Sequence, residues 1–209
     1  MSSAERSAAY SDSLDKAGHR VGAVGKDIVP MTSATTVSGR ARTVQFVPAG
    51  HDSDSPYDDA IDFIDSLEPG DVVVISTQGS HASAVWGELF TAAAKGRGAA
   101  GLVTDGAVRD IVGVRALGWP VFATGTRPVD YRARQRMGAV DVPVTISGVP
   151  VSPGDRVVAD DDGVVIVPAD RESEIVELVR QRAKTEATVL EELLAGSSLR
   201  EVWERYRVL

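Results

Sequence analysis

Arg109 and Asp110 are adjacent and opposite in charge, Asp105 lies just before them, and twenty residues separate Glu88 from Arg109. An arginine grips a carboxylate with two parallel hydrogen bonds. A helix beginning near Gly87–Glu88–Leu89–Phe90 offers free backbone amides and a positive dipole end to the same carboxylate. Gly87 lets a ligand approach that backbone. Asp110, with Glu88 or Asp105 nearby, makes a site for a hard cation, since magnesium is held by one or two carboxylates and keeps several waters. Such a pair of sites suits a 2-oxo acid: arginine and amides hold the acid, and the metal takes the keto oxygen. The same residues also admit a structural account, with Arg109 and Asp110 as a salt bridge and Glu88 as a complement to the helix dipole.

These residues converge only if the chain is built as strand–loop–helix done twice. The apolar run Val72–Ile75 reads as a strand and Val85 to Lys95 as a helix closed by Gly96. Gly101 to Thr104 is a second strand, a helix runs from about Arg109 to Leu117, and Pro120–Val121–Phe122 opens a third strand. Two right-handed crossovers make these strands parallel. Their carboxyl ends then share one edge, where open α/β sheets bind ligands. Glu88, Asp105, Arg109 and Asp110 are therefore expected to meet at that edge.

The chain has 209 residues, net charge −8, sequence pI about 4.9 and no cysteine. One domain is expected over residues 1–209, with a core at about 10–170 and a helical extension over 171–209. Disulfides, zinc–thiolate sites and cysteine nucleophiles are excluded. The acidic balance argues against a nucleic-acid partner, and Arg127, Arg132, Arg134 and Arg136 read as a solvated segment or a subunit contact. Met1 to Tyr10 holds no long apolar run, and nothing approaches the roughly 18 apolar residues of a membrane span. A cytoplasmic protein with no membrane partner is expected.

Residues 1–20 read as a helix or extended arm stopped by Gly18. Thr35–Val37 and Ala41–Val47 suit a strand or hairpin, and Ala60, Ile61, Ile64 and Leu67 mark an amphipathic helix over Asp58–Leu67. Asp160–Asp161–Asp162–Gly163 between two apolar runs is a hairpin turn, not a calcium loop, whose ligand spacing is missing. Asp170 reads as the N-cap of a long helix. Ser198 with Glu201 forms a capping box for a last short one. Gly96, Gly98 and Gly101 satisfy G-x-G-x-x-G, but they follow a helix and open a strand, the reverse of a dinucleotide site. They are read instead as a helix stop, with Gly96 supplying a left-handed cap.

Gly87–Glu88–Leu89, the twenty-residue gap, and Asp105–Gly106–x–x–Arg109–Asp110 resemble the signature of the RraA-like family. That family includes the regulator of ribonuclease activity and the class II 4-hydroxy-4-methyl-2-oxoglutarate / 4-carboxy-4-hydroxy-2-oxoadipate aldolases. Gly118–Trp119–Pro120–Val121–Phe122, Pro153–Gly154–Asp155 and Ala159 to Val165 match as well, so the resemblance covers about residues 10–170. It implies an α/β fold, a three-layer ββα swivelling-domain sandwich with C-terminal helices, assembled as a homotrimer or hexamer with sites between subunits. It also implies that Arg109 binds the pyruvyl carboxylate, that amides near Leu89 and Phe90 complete that pocket, and that Asp110 binds magnesium or manganese. Glu88 would hold metal-bound waters. The family often has aspartate where this chain has Glu88, and often an acidic residue where it has Ile111–Val112–Gly113–Val114.

The function expected is a metal-dependent lyase on small 2-oxo acids, by retro-aldol cleavage or oxaloacetate decarboxylation through a pyruvate enolate. A Schiff base is disfavoured, because Lys16, Lys26, Lys95 and Lys184 all lie outside the motif loops. His81, just ahead of the motif helix, reads as a polar loop residue that could line the pocket. The alternatives are a non-catalytic regulator that binds a protein such as a ribonuclease, and a sugar-acid dehydratase using the same site.

Overall fold

A computed structural model describes residues 6–51 and 53–208. In chain order the elements are α1 (Ser7–Lys16), β1 (Val29–Pro30), β2 (Val37–Pro48), α2 (Asp58–Asp65), β3 (Asp71–Ser76), β4 (Ala84–Trp86), α3 (Glu88–Gly96), β5 (Gly101–Thr104), β6 (Ala107–Val108) and α4 (Ile111–Ala116). There follow β7 (Val121–Ala123), β8 (Gly125–Thr126), β9 (Gln135–Val140), β10 (Val144–Ile146), β11 (Val149–Val151), β12 (Arg156–Asp160), β13 (Gly163–Val167), α5 (Glu172–Leu194) and α6 (Leu199–Tyr206). The reading of residues 1–20 is met by α1 with Gly18 at φ 79° behind it; residues 1–5 lie outside the described residues.

The main sheet runs β1-β7-β5-β3-β2-β12-β13, with β9 pairing β2. β2, β3, β5 and β7 are mutually parallel, as the two crossovers require. β3 and β5 are apolar without alternation because both of their faces are covered. One face packs Val73, Ile75, Leu102 and Val121 against α2, α3 and α4 through Phe63, Ala94 and Val114. The other packs Val72, Val74, Val103 and Phe122 against the β10–β11 hairpin through Ile146 and Val151. These are three layers, hairpin, sheet and helices, the ββα order expected. Leu14 of α1 with Ile175 and Val179 of α5 covers the β12–β13 end in a separate cluster.

The outer strand β13 does not stand open. Gly22 O accepts from Ile166 N at 2.8 Å, and Val24 N donates to Val164 O at 2.9 Å, so the segment after α1 runs along its ladder. Asp160, at the β12–β13 turn, is tied to α1 by Ser7 N at 2.7 Å and Ser7 Oγ at 2.6 Å.

Three local readings are corrected. Ala84–Trp86 is a strand, and the helix begins at Glu88, because Gly87 is extended (φ −157°, ψ −169°) and breaks the helix N-terminally. The left-handed residue after α3 is Gly98 at φ 87°; Gly96 is the helix's last residue. Asp170 lies inside a 3-10 turn, Ala169–Arg171, and Arg171 holds the N-cap position of α5. The Ser198–Glu201 capping box is present. Among the described residues no helix is long and apolar enough to cross a membrane.

Candidate active site

A second, three-stranded parallel sheet, β4-β6-β8, assembles the site. Trp86 on β4 is in register with Val108 on β6, and Arg109 N donates to Trp86 O at 2.9 Å. The next residues along the two strands, Gly87 and Arg109, are therefore neighbours despite their distance in sequence. Each strand runs straight into a helix, so the first turns of α3 and α4 open side by side.

Gly87 is the hinge of this arrangement. A Cβ there would lie 2.8 Å from Asp110 Oδ2 and 3.2 Å from Arg109 Cγ, so a side chain is excluded by the two charged residues. The Gly87 carbonyl accepts from both Thr91 N at 3.0 Å and Thr91 Oγ1 at 2.9 Å, and Trp86 Nε1 donates to that hydroxyl at 2.9 Å. No side chain caps α3, which leaves the first-turn amides of Glu88, Leu89 and Phe90 to a ligand. Asp110 precedes α4 in the left-handed conformation, φ 56° and ψ 36°. Aspartate tolerates that region better than most residues, and such backbone outliers collect at functional sites.

Arg109 is oriented from two sides. Its Nη1 lies 3.1 Å from Asp130 Oδ2, and its Nε lies 3.6 Å from Asp110 Oδ2. Asp130 Oδ2 also accepts from the Tyr57 hydroxyl at 2.7 Å, and its Oδ1 accepts from Arg132 N at 3.1 Å. Burial pushes the Asp130 carboxyl up, but the bonds from Tyr57, Arg132 and Arg109 outweigh it and hold the group below its ordinary range. The bond to Asp130, reinforced by burial, raises the Tyr57 phenol. Tyr131 packs edge-on against Phe46 and Tyr57, with centroids at 5.3 and 5.5 Å, and burial pushes its phenol far up.

A cavity of about 370 Å³ is lined by Gly87, Leu89, Arg109 and Asp110 together with Tyr57, Ile61, Trp86, Phe90 and Tyr131. The Glu88 carboxylate sits over Gly113 of α4, where any side chain would collide with it. Gly87, Glu88, Leu89, Phe90, Arg109 and Asp110 are thus gathered at two adjoining helix starts. Asp105 is not among them. Its Oδ1 accepts from Thr77 N at 2.6 Å and Thr77 Oγ1 at 3.0 Å, its Oδ2 accepts from Gly79 N at 3.1 Å, and it is buried. Asp105 fixes the loop after β3 and, with His81, lines a separate hollow.

The donor set fits a hard cation bound largely through water. No three His, Cys, Asp or Glu side chains among the described residues form a ready cage. The Asp110 carboxylate is half exposed and only loosely held by Arg109, a donor of the kind that magnesium takes from a protein while keeping most of its waters. Asp130 and Tyr57 carry no local signal in the sequence, because they lie in segments without a motif, 73 residues apart.

Comparison with known proteins identifies the family and the fold. Residues 7–166 match the family model RraA-like: Aldolase/RraA. The chain is 33% identical over 200 residues to the protein DlpA of Legionella pneumophila, covering 96% of this chain but only 32% of that longer protein. It is 35% identical over 155 residues to a Halalkalibacterium halodurans protein named "Putative 4-hydroxy-4-methyl-2-oxoglutarate aldolase", covering 74% of this chain and 70% of the relative. The solved structure of RraAS2 from Streptomyces coelicolor, described as an unusual member of the RNase ES inhibitor RraA protein family, superposes with a TM-score of 0.78. It is 34% identical and covers 88% of this chain and 90% of its own. A sheet whose first turns gather Gly87, Arg109 and Asp110, together with a family match over most of its length, means that the chain belongs to the RraA-like family.

Proposed function

We propose that this protein is a divalent-metal-dependent lyase acting on small 2-oxo acids. The observation that carries the reading is the meeting of Arg109, Asp110 and the uncapped first turn of α3 across the side-chain-free Gly87. Arg109 and the amides of Leu89 and Phe90 bind the substrate carboxylate. Asp130 and Tyr57 hold the guanidinium in place for that contact. Asp110 and Glu88 would hold magnesium or manganese, which when bound would supply Lewis-acid polarisation of the keto oxygen. Trp86 and Phe90, packed edge to face with centroids 5.5 Å apart, form an apolar wall that keeps bulk water out. Glu88, exposed at the helix start, accepts and returns the proton at its carboxylate. Cleavage of the C3–C4 bond, by retro-aldol reaction or loss of carbon dioxide from oxaloacetate, leaves a pyruvate enolate. No lysine lines the cavity, so nothing there offers an amine for a Schiff base.

The test is pyruvate release from 4-hydroxy-2-oxo acids and oxaloacetate with and without EDTA, in the native protein and in Arg109→Ala and Asp110→Ala. Turnover that ignores both chelation and substitution overturns the reading. The likeness to RraAS2 favours a second one, a regulator that binds a ribonuclease without catalysis. Inhibition of a ribonuclease, with no metal-dependent turnover, would select it. The same site could also serve an enolate-forming dehydratase, which a sugar-acid screen would detect.

A further inference from the structure

Arg109 faces two carboxylates that hold it differently. Asp130 Oδ2 lies 3.1 Å from Nη1 and is itself pinned, by the Tyr57 hydroxyl at 2.7 Å and, through Oδ1, by Arg132 N at 3.1 Å. Asp110 Oδ2 lies 3.6 Å from Nε, too far for a hydrogen bond. An ion pair this long, with Asp110 half exposed, is weak. The two carboxylates also take different parts of the guanidinium. With Nη1 taken by Asp130, a substrate carboxylate gripped by two parallel bonds needs the edge formed by Nε and Nη2. Asp110 stands at Nε, on that edge. The same carboxylate is the donor that a divalent cation would take. Gly87 leaves the space beside both atoms open, since a Cβ there would lie 2.8 Å from Asp110 Oδ2 and 3.5 Å from Arg109 Nε.

Resting on the lyase reading above, we propose that Asp110 is a gate on Arg109 as well as a metal donor: without a divalent cation it competes for the anion edge of the guanidinium, and a cation that engages it releases that edge to the substrate carboxylate. Unneutralised, Asp110 repels an incoming carboxylate and contends with it for Nε. Unneutralised, Arg109 repels an incoming cation. Each ligand removes the other's obstacle, so metal and anion bind with positive linkage, and linkage between two binding equilibria is reciprocal. Asp130 takes no part in the exchange. Its bonds to Tyr57 and Arg132 keep it on Nη1 while Asp110 changes partner.

The experiment measures binding, not turnover. The anion probe is 2-methylpropanoate, which carries a carboxylate and no keto oxygen to chelate a metal, and the cation is magnesium. Protein is stripped on a chelating resin, so that no free chelator competes for Arg109. Dissociation constants are read from the rise in melting temperature on titration at constant ionic strength. In the native protein magnesium is expected to tighten the anion by about fivefold or more, and the anion to tighten magnesium by the same factor. Asp110→Asn keeps the left-handed backbone, which asparagine also tolerates, and removes the competing charge. Without magnesium it is expected to bind the anion about fivefold or more tighter than the native protein does, and to be indifferent to added magnesium. Glu88→Gln removes a carboxylate that sits over Gly113, and its metal-free affinity for the anion is expected to stay near native. Equal anion affinity with and without magnesium in the native protein, no tightening in Asp110→Asn, or equal tightening in Glu88→Gln overturns this inference and leaves the lyase reading standing. Native protein that binds neither magnesium nor the anion overturns both.

Discussion

Arg109 Nη1 rests 3.1 Å from Asp130 Oδ2, and that same oxygen takes the Tyr57 hydroxyl at 2.7 Å. The guanidinium is therefore aimed by a residue that does not itself line the cavity. Asp130→Asn keeps the shape but removes the charge that fixes Arg109. It is expected to raise KM for a 2-oxo acid by about tenfold with a smaller change in kcat, the size of one charge-assisted hydrogen bond. Steady-state kinetics on the native and variant proteins check it.

Stability should depend on pH at both ends through this pair. The folded Asp130 carboxyl sits below its ordinary value of 3.8, so its contribution is present above that value and is lost as pH falls through the folded one. The folded Tyr57 phenol sits above its ordinary value of 10.0, so its contribution is complete below that and is lost as pH rises through the folded value. Thermal melts are expected to show an acid decline that flattens in Asp130→Asn and an alkaline decline that flattens in Tyr57→Phe.

Gly87→Ala should separate folding from catalysis. The backbone there is extended, so alanine is allowed conformationally, but its Cβ would press on Asp110 Oδ2 from 2.8 Å. Activity is expected to fall about a hundredfold, as displacements near 1 Å do, while the circular dichroism spectrum stays native.

Asp105→Asn gives the opposite separation. One carboxylate oxygen would become an NH2 facing the Gly79 amide, a donor against a donor. The variant is expected to lose about 1–3 kcal/mol of stability and to keep the native dependence on magnesium concentration, which denaturation and metal titration measure.

Ile175→Ala tests whether α5 is part of the core. Ile175 is fully buried against α1 and the β12–β13 strands. Its truncation is expected to cost about 2–5 kcal/mol in a single cooperative transition.

Much of the scaffold was legible because its signals are local. Gly101–Thr104 is bounded by glycine and by the Asp105–Gly106 turn, and the strand occupies those four residues. Asp162–Gly163 between valine runs gave a hairpin in register from Asp160 and Gly163 outward. The parallel order followed from the repeated crossover. What was hidden depends on distant partners. β4 was absorbed into a helix because Val85 and Trp86 continue the apolar pattern of α3, and only the extended Gly87 separates them. Asp105 read as a ligand because it stands beside Arg109 and Asp110 in the chain, whereas its partners Thr77 and Gly79 are 28 and 26 residues back. The grip of Asp130 on Arg109 left no pattern at all.

The strip of chain at Gly22 and Val24 that runs along β13 has a bearing on solubility. An uncovered outer strand is a template on which another molecule can lengthen the sheet. By spending its own backbone on that rim, and pinning the preceding helix to Asp160, the molecule withholds this ready-made adhesive surface from its neighbours.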